Sequence, residues 1–372
     1  MDSRNVVRIA AALGGVAVGG AVLLKLRWRP GSIEDVPARM KRVVLVKGAK
    51  ELADAKLEVQ EVETPKPAYG QVLVKIAAAP INPSDDGQWK NTRVSTATPI
   101  GNEGSGIIVA SGGGPFTGGL LGKKVSIAGQ PANFAQYAIA DAATGIRLLP
   151  QDVPAEDGCA FFINPFTVVG ILESVREDGG KAFIQTAAAS QLGMMLAKLC
   201  QKEGVTLVNL VRRAEQKATL IKLGVKEDHI VVTGGSNDWQ AELSALIEKF
   251  KIRHAFDAVS GDMTGTLLSL LPSGGTVWVY GRLAPEPVGN IQPLDLIYRG
   301  KQVKGFLLPR WLMQGGLLKA IFRNRRCTKM VSDNLRTIFA SDFQDVSMEN
   351  MHAEYIKFTK EGRTGTKMRV RP

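Results

Sequence analysis

The sequence predicts an α/β fold in which a barrel-like, β-rich domain carries an inserted, doubly wound parallel sheet. First, residues 41–149 contain short apolar runs separated by Gly and Pro turns. Second, residues 181–306 alternate apolar runs with helical patterns, as in a parallel sheet covered by helices. Third, residues 365–371 have a strand pattern. If this strand joins the first domain, the parallel sheet is an insertion and a cleft separates two domains, where ligand sites are common.

The first region has short strands at a spacing that favours a compact barrel. Its expected strands are 42–47, 71–76, 106–110, 124–128 and 135–139. The second region has the strand and helix order of a doubly wound sheet. Its expected strands are 182–185, 205–211, 229–232, 254–259, 275–280 and 301–307, and its expected helices are 191–203, 214–223, 237–250 and 262–271.

Small residues from Ala187 to Gly193 connect the first parallel strand directly to a helix. In α/β proteins such a turn places backbone N–H groups and a helix N-terminus against a phosphate. Against the pattern G-x-G-x-x-G the aligned residues are Ala188, Ser190 and Gly193, so one glycine of three is present. Two interpretations stay open: a phosphate-binding turn, or an ordinary small-residue turn between a buried strand and a helix.

Arg212 and Arg213 end the next strand, about twenty residues further on, where dinucleotide folds meet the adenosine ribose. A planar guanidinium binds phosphate in a bidentate manner, so arginine here favours a cofactor with a 2′-phosphate. The pair therefore predicts NADPH rather than NADH. The alternative is a pair of solvated cations at a strand end.

The net charge of +12 is concentrated in two segments. Residues 1–42 hold eight Lys or Arg against three acids, and residues 299–329 hold nine with no acid, so the rest of the chain is nearly neutral. This distribution fits a membrane surface or an anionic ligand better than a nucleic-acid partner. Within the second segment, residues 310–326 fit either such a contact or an ordinary amphipathic helix with a solvated basic face.

Cysteine and histidine are too few and too scattered for several common kinds of site. The chain has Cys159, Cys200 and Cys327, and His229, His254 and His352. Wide spacing argues against a disulfide framework, a tetrahedral zinc site and a Ser/His/Asp triad. We expect no bound metal.

Residues 1–29 form an N-terminal hydrophobic segment with flanking basic residues, and residues 30–40 have the composition of a linker. The segment is long enough to cross a bilayer if Arg8 extends to the surface, and Lys25, Arg27 and Arg29 would keep the main body on the cytoplasmic or equivalent side. The interpretations are an uncleaved membrane anchor, an organelle presequence removed in the matrix, or a secretory signal. A mitochondrial membrane or matrix fits the first two.

Several short sequence motifs resemble those of the medium-chain dehydrogenase/reductase superfamily. They occur in the same order along the chain, from about residue 41 to Pro372. They are Ala79-Pro-Ile-Asn-Pro-Ser-Asp85, Pro99-Ile-Gly-Asn-Glu-Gly-Ser-Gly106, Phe162-Ile-Asn-Pro-Phe-Thr167, Ala187-Ala-Ala-Ser-Gln-Leu-Gly193, Phe256-Asp-Ala-Val-Ser-Gly261, Gly274-Gly-Thr-Val-Trp-Val-Tyr-Gly281 and Val303-Lys-Gly-Phe306. The resemblance implies a catalytic domain from residues 41–163 and 307–372, a Rossmann domain from residues 164–306, and a homodimer.

The chain is most similar to the zinc-free branch, which includes quinone reductases and mitochondrial enoyl thioester reductases. Asn82, Asn102 and Asn164 stand at or near the positions where zinc relatives carry their ligands, and Asn is a poor zinc ligand. The alternative for each is turn chemistry, which we favour for Asn102 alone.

The resemblance also implies a set of cofactor-binding residues. The nicotinamide would lie against Asn164 and Thr167, and the pyrophosphate against Ala189, Ser190, Gln191, Leu192 and Gly193. The 2′-phosphate would contact Arg212 and Arg213. Backbone contacts would come from Tyr280, Gly281, Phe306 and Leu308, and Lys367 would lie near the cleft.

We expect NADPH to reduce a small-molecule acceptor, either a quinone or an α,β-unsaturated carbonyl such as an enoyl thioester. Asn82, Thr167 and Arg93 are the candidate catalytic residues, as donors that stabilise developing charge. Enoyl thioester reductases carry a tyrosine about eight residues after Asn-Pro-Ser-Asp, but residues 86–93 contain none, and Arg93 or Trp89 would occupy its space. The alternative function is a membrane-associated binding protein that keeps the fold but has little or no turnover.

Overall fold

The structure is a computed structural model that describes residues 30–94, 96–129, 132–235, 238–361 and 365–372. The predicted anchor or targeting segment, residues 1–29, lies outside the described residues. Within the described ranges, no helix is both long and apolar enough to cross a membrane.

The first part of the chain is rich in β strands. They are β1 (Gly31–Ser32), β2 (Arg39–Lys47), β3 (Lys56–Glu63), β4 (Gln71–Pro80), β5 (Thr98–Pro99), β6 (Glu103–Ser111), β7 (Lys124–Ala128), β8 (Tyr137–Asp141) and β9 (Ile146–Leu148), with helix α1 (Pro83–Trp89) after β4. A short 3₁₀ helix at Ala155–Ala160 leads to the long helix α2 (Ile163–Glu177).

Strands and helices then alternate. The strands are β10 (Ala182–Gln185), β11 (Thr206–Val211), β12 (Ile230–Val232), β13 (His254–Asp257), β14 (Thr276–Val279) and β15 (Gln302–Gly305). The helices between them are α3 (Gln191–Glu203), α4 (Ala214–Lys222), α5 (Trp239–Phe250), α6 (Asp262–Leu270) and α7 (Pro293–Ile297). The chain ends with α8 (Leu308–Met313), α9 (Leu317–Ser332), β16 (Asp342–Ser347), α10 (Met351–Glu361) and β17 (Thr366–Arg371).

The parallel sheet has the strand order β12-β11-β10-β13-β14-β15 among the described residues. The order reverses at β10, which lies between β11 and β13, as in a doubly wound nucleotide-binding sheet. The predicted strands and helices of this region agree with the structure to within a few residues, and α3 has the predicted bounds. This part of the predicted fold is confirmed.

The C-terminal strand joins the first sheet and makes the parallel sheet an insertion, as predicted. Strand β17 pairs antiparallel with β4 and parallel with β16, so the large sheet runs β16-β17-β4-β6-β7-β9 among the described residues. Strands β3, β2 and β5 form a separate small sheet. Helix α2 begins next to the predicted domain boundary, and the boundary itself stays a prediction.

Two elements, β3 and α2, lack the apolar runs or helical periodicity from which the other strands and helices were predicted. Strand β3 alternates apolar residues with Glu58, Glu61 and Glu63, because much of it faces solvent in the small sheet. Helix α2 is buried over most of its circumference and therefore has no polar stripe to reveal its period. The expected linker, residues 30–40, contains β1, which pairs with β6, and the start of β2.

The basic segment 310–326 packs against α2. Arg323 and Arg326 of α9 form salt bridges with Glu177 and Glu173 at 2.7 and 2.8 Å. Phe322 and neighbouring apolar side chains stay exposed on the outer side of α9. The C-terminal segment is therefore attached to the helix that opens the parallel-sheet region.

Candidate active site

The turn between β10 and α3 has the geometry of a helix N-terminus that is open to a ligand. Ala187 has a φ of 49°, and the Ser190 hydroxyl accepts a hydrogen bond from the Gly193 N–H at 3.1 Å. A Cβ on Gly193 would lie 2.5 Å from the Ala188 carbonyl oxygen, so only glycine fits there. Ala188 and Ala189 are buried, while Ser190, Gln191 and Leu192 are partly exposed. The glycine that the sequence retains is thus the one that the packing of α3 against the turn requires.

Two arginines lie beside this turn at the end of β11. Arg212 and Arg213 are exposed, and their guanidinium groups form no salt bridge with any described residue. The side chain of Gln216 accepts hydrogen bonds from both backbone N–H groups, at 3.0 and 3.1 Å, which fixes the strand end. Gly234 packs so closely on Arg212 that a Cβ would lie 2.3 Å from its carbonyl oxygen. Two cations are therefore held on a rigid backbone with their charges free.

Two partly exposed residues at the same edge of the sheet carry buried polar atoms without hydrogen-bond partners. They are both side-chain amide atoms of Gln191 and the hydroxyl of Tyr280. Burial and the nearby charge of Asp257 raise the pKa of Tyr280, so its hydroxyl stays protonated. Buried polar groups normally have partners, and these would gain them from a bound polar ligand. The residues present thus fit a dinucleotide.

Helix α2 and the end of β14 supply the other predicted cofactor contacts. Thr167 is buried and Asn164 is half-buried on the first turns of α2. Gly281 follows β14 against Ala258, where a Cβ would lie 2.7 Å from the Ala258 carbonyl oxygen. Phe306 and Leu308 are both 7% exposed, so their side chains belong to the core, and the Phe306 N–H donates a hydrogen bond to the Val279 carbonyl oxygen at 2.8 Å.

A buried carboxylate, Glu103, connects three parts of the chain. Its Oε1 accepts a hydrogen bond from Asn82 Nδ2 at 2.9 Å, and its Oε2 accepts one from the Ile163 backbone N–H at 2.8 Å. Lys367 Nζ lies 3.6 Å from Oε1, close enough for an ion pair and too far for a hydrogen bond. The residues that meet here come from the loop after β4, the start of α2 and the C-terminal strand β17.

Asp85 lies beside this cluster and is completely buried. Its carboxylate accepts hydrogen bonds from the backbone N–H groups of Asn82 at 2.8 Å and Asn102 at 3.1 Å. Burial raises the pKa of Asp85 to about 7, and the charge of Glu103 adds to the rise, while the two N–H groups and Lys367 oppose it. Asp85 is therefore a buried acid that titrates near neutral pH.

The remaining candidates are Arg93 and Trp89, which follow Asp85 along the chain. Arg93 is exposed in the turn after α1, and its backbone N–H is bonded to Asn91. Trp89 is fully buried and packs edge-on against Phe134 and Tyr355, so it belongs to the core and does not fill the place of the missing tyrosine.

The comparisons with known proteins agree with this architecture. A family model described as a zinc-binding dehydrogenase matches residues 192–321, and one described as an alcohol dehydrogenase GroES-like domain matches residues 68–150. A mitochondrial enoyl-[acyl-carrier-protein] reductase from Caenorhabditis elegans is 30% identical over 268 residues, covering 66% of this chain and 71% of the relative. The chain belongs to the medium-chain dehydrogenase/reductase superfamily.

Further relatives lie in the zinc-free branch of the superfamily, as the sequence indicated. A mitochondrial enoyl-[acyl-carrier-protein] reductase from Xenopus tropicalis is 28% identical over 269 residues, covering 68% of this chain and 74% of the relative. A solved structure from Mesorhizobium loti, described as a candidate NADPH:quinone reductase, superposes with a TM-score of 0.79 at 29% identity, covering 91% of this chain and 100% of that one. This membership makes the chain an NAD(P)H-dependent oxidoreductase.

The positions that bind zinc in other members of the superfamily have other partners here. Asn82 donates to Glu103, and Asn102 is bonded through its side chain to Gln88 and Ser84. Across the described residues, no three His, Cys, Asp or Glu side chains are grouped to hold a metal ion. The donor set does not fit zinc, which prefers thiolate, imidazole and carboxylate ligands.

Sequence reasoning passed over Glu103, Asp85 and Asp257 as site residues. Asp257 is buried and accepts hydrogen bonds from the hydroxyls of Thr186 and Thr264 at 2.8 and 2.6 Å, which fixes the loop after β13. The signal that could have found Glu103 and Asp257 is an acidic residue within a glycine-rich or apolar segment, because an acid there is buried and needs donors.

The first prediction concerns the Glu103 carboxylate. We expect Glu103→Gln to lower the free energy of unfolding by about 3 kcal/mol, because the substitution leaves the Lys367 ammonium buried without an opposite charge. Chemical denaturation at neutral pH measures this. The matched control is Glu349→Gln, which breaks the exposed Lys41–Glu349 pair and should change stability by less than about 0.5 kcal/mol. Equal effects of the two substitutions would contradict the interpretation.

The second prediction concerns the raised pKa of Asp85. The folded protein holds this proton up to a pH of about 7, whereas the unfolded chain releases it near the ordinary aspartate pKa of 3.8, so the resulting stability is lost as pH rises between these values. Relative to Asp85→Asn, the wild type should lose about 2.6 kcal/mol between pH 5 and pH 8. Asp152→Asn is the control, since this exposed carboxyl has a lowered pKa and does not titrate in that window. A difference between wild type and Asp85→Asn that is independent of pH would refute the prediction.

Proposed function

We propose that the protein is a zinc-independent, NADPH-dependent oxidoreductase that transfers hydride to a quinone or an α,β-unsaturated carbonyl acceptor. The observation that carries the proposal is the combination of the Gly193 turn with two unpaired guanidinium groups at one edge of the parallel sheet. A helix N-terminus at a tight turn favours the pyrophosphate, and the arginine pair favours a 2′-phosphate. The cofactor is therefore NADPH.

The roles of the other residues follow from their positions. Gln191 and Tyr280 offer polar atoms that lack partners, and Asn164 and Thr167 on α2 form the nicotinamide side of the cleft. When bound, the cofactor supplies the hydride from its nicotinamide ring. The protein orients the two reactants, excludes water and presents donors where negative charge develops.

The acceptor is a conjugated carbonyl compound. Support comes from the names of the relatives, which are enoyl-[acyl-carrier-protein] reductases and a candidate quinone reductase. In both reactions hydride adds to an electron-poor conjugated system and negative charge develops on an oxygen. Residues 86–93 contain no tyrosine, so a different donor faces that oxygen here.

A mitochondrial location is part of the proposal. Mitochondrial relatives and the basic, apolar composition of residues 1–29 support it. The segment then serves either as a retained membrane anchor or as a presequence that is removed in the matrix. Sequencing the N-terminus of the mature protein, together with carbonate extraction of the membranes, distinguishes the two.

The free edge of the parallel sheet supports a homodimer. Strand β15 ends the sheet without a further partner among the described residues, and most of its side chains are exposed. Apolar side chains beside it are also exposed, among them Leu294 at 62%, Ile297 at 69% and Tyr298 at 80%. A second copy, related by a twofold axis, would pair β15 with its own equivalent and cover these residues.

The third prediction tests the cofactor. We expect Arg212→Ala and Arg213→Ala each to weaken NADPH binding by about tenfold, the effect of losing one charged hydrogen bond, and to leave NADH binding unchanged. Fluorescence titration of the full-length protein measures both affinities. Arg325→Ala, an exposed arginine on α9, is the control and should change neither. An unaltered preference for NADPH in both variants would show that the assignment of the 2′-phosphate site is wrong.

The same protein preparation tests turnover. NADPH oxidation with a panel of quinones and enoyl thioesters should reveal at least one acceptor. Tight NADPH binding with no oxidation by any acceptor would instead favour the alternative function, a membrane-associated binding protein that keeps the fold.

The fourth prediction tests the dimer. Ile297→Glu places a charge in the proposed interface and should convert the dimer to a monomer, as measured by light scattering coupled to size exclusion. Leu318→Glu is the matched control, because Leu318 is 84% exposed on α9, outside the proposed interface, and its substitution should leave the dimer intact. A wild-type monomer at micromolar concentration would contradict the proposal.

A further inference from the structure

Helix α9 packs against α2 with charged side chains on its inner side. Arg323 is 4% exposed and pairs with Glu177 at 2.7 Å, and Arg326 pairs with Glu173 at 2.8 Å. Both acids belong to α2, so the charges on this side of α9 are neutralised within the fold. The remaining buried residues of α9 are Ala320, Cys327 and Val331.

The opposite side of α9 carries large apolar side chains that are exposed. Leu318 is 84% exposed, Phe322 65% and Ile321 39%. Leu318 and Phe322 are four residues apart, so they lie one above the other on the same helix face. A surface helix normally turns its apolar stripe toward the core and its charges toward solvent. In α9 a guanidinium is buried while a leucine and a phenylalanine point outward, so the outer face has the composition of a contact surface.

Two cations continue the same face toward the end of the helix. Arg325 and Lys329 come three and seven residues after Phe322, so they follow it along one side of the helix. Arg325 is exposed and forms no salt bridge within the described part of the chain. Lys329 pairs with Asp333 at 2.8 Å, and both side chains are exposed, which makes the pair weak. Both cations can therefore bind an anion outside the protein.

The sequence around α9 adds further positive charge and no negative charge. Residues 299–329 hold nine Lys or Arg and no acid. Arg310, on the preceding helix α8, is also exposed. The apolar residues Met313 and Leu317, on either side of the turn between the two helices, are 53% and 38% exposed. A partner for this region must therefore accept apolar side chains and carry negative charge.

An anionic lipid surface combines these two properties. Its phosphates attract Lys and Arg, and its acyl region accepts leucine, isoleucine and phenylalanine from a helix that lies in the interface. A second copy of the chain fits less well, because the contact would oppose the same cations. Residues 1–29 also combine apolar and basic residues, while the remainder of the chain is nearly neutral, so both basic segments suit one anionic surface.

We propose that the outer face of α9 binds the surface of an anionic phospholipid membrane. Leu318, Ile321 and Phe322 insert among the upper acyl chains, and Arg325 and Lys329 extend to the phosphates. The helix lies along the membrane surface and does not cross it. The inference is independent of the proposed reductase function, because the outer face of α9 contains none of the proposed cofactor-binding or catalytic residues.

The fifth prediction uses a fluorescent label on this face of the full-length protein. The three native cysteines are buried, so a thiol-reactive NBD dye attaches selectively to an exposed cysteine introduced by Phe322→Cys. With vesicles of equal parts phosphatidylcholine and phosphatidylglycerol, its emission should rise several-fold, because the dye moves from water into an apolar environment. Lipids with a spin label in the acyl chain should then quench it. The control label, at Ile221→Cys on α4, should show neither change.

Binding of unlabelled variants to the same vesicles tests the side chains one at a time. Ile321→Glu should weaken binding about tenfold, since a charge replaces an apolar side chain that enters the membrane. Ile221→Glu is the matched control, because Ile221 is 41% exposed, close to the 39% of Ile321, and it should bind as the wild type does. Arg325→Gln should weaken binding about fivefold, the effect of losing one cation near an anionic surface. Every variant contains residues 1–29, so their contribution is the same throughout.

Several outcomes would overturn the proposal. If the protein sediments with vesicles while the label at position 322 does not respond, residues 1–29 alone attach it to the membrane. An equal response to vesicles of pure phosphatidylcholine would show that anionic lipid is not what the face recognises. Absence of vesicle binding by the wild type would exclude a lipid surface altogether.

The same label identifies other occupants of the face. A response without lipid that grows with protein concentration would assign the face to a second copy of the chain. A response to polyglutamate but not to anionic vesicles would assign it to an acidic protein. Either result would contradict the proposal. Failure of the reductase proposal would change none of these outcomes, because the measurements use neither cofactor nor acceptor.

Discussion

The structure depends on one buried carboxylate. Glu103 accepts a hydrogen bond from the loop after β4 through Asn82, accepts another from the first turn of α2 through Ile163, and faces the ammonium of Lys367 on β17. These three contacts come from residues that are far apart in the sequence. Glu103 thus joins the loop after β4, the start of α2 and the C-terminal strand. A buried charge is stable only with such partners, so the carboxylate fixes their relative positions.

This arrangement gives the cleft its chemistry. On the side of the parallel sheet, a tight turn that requires Gly193 and a pair of free arginines offer a site for a phosphorylated dinucleotide. On the side of the first domain, a positive charge and an unsatisfied carbonyl oxygen lie next to Glu103. Buried polar atoms without partners on both of these sides would gain partners from a bound polar ligand.

Much of the fold could be predicted from the sequence, because the parallel sheet has regular alternation of apolar and amphipathic segments. Helix α3 is bounded by Ser190 as N-cap and by Gly204, which has a φ of 67° as C-cap, so both ends are encoded locally. Helix α2 could not be found in this way, since its burial on nearly all sides removes the periodicity. Glu103 acts through contacts with distant segments, and the residues around it in the sequence do not reveal its partners. Arg93 is exposed in the turn after α1, and its role as a catalytic donor stays a prediction.

The most direct measurement of the central claim is a crystal structure of the full-length protein with NADPH. The account predicts the pyrophosphate on the backbone N–H groups from Ala189 to Gly193, and the 2′-phosphate within hydrogen-bond distance of Arg212 or Arg213. It also predicts the nicotinamide between Thr167 and the Glu103–Lys367 pair. A dinucleotide whose 2′-phosphate lies away from both arginines, or whose nicotinamide lies outside the cleft between the two domains, would contradict the account.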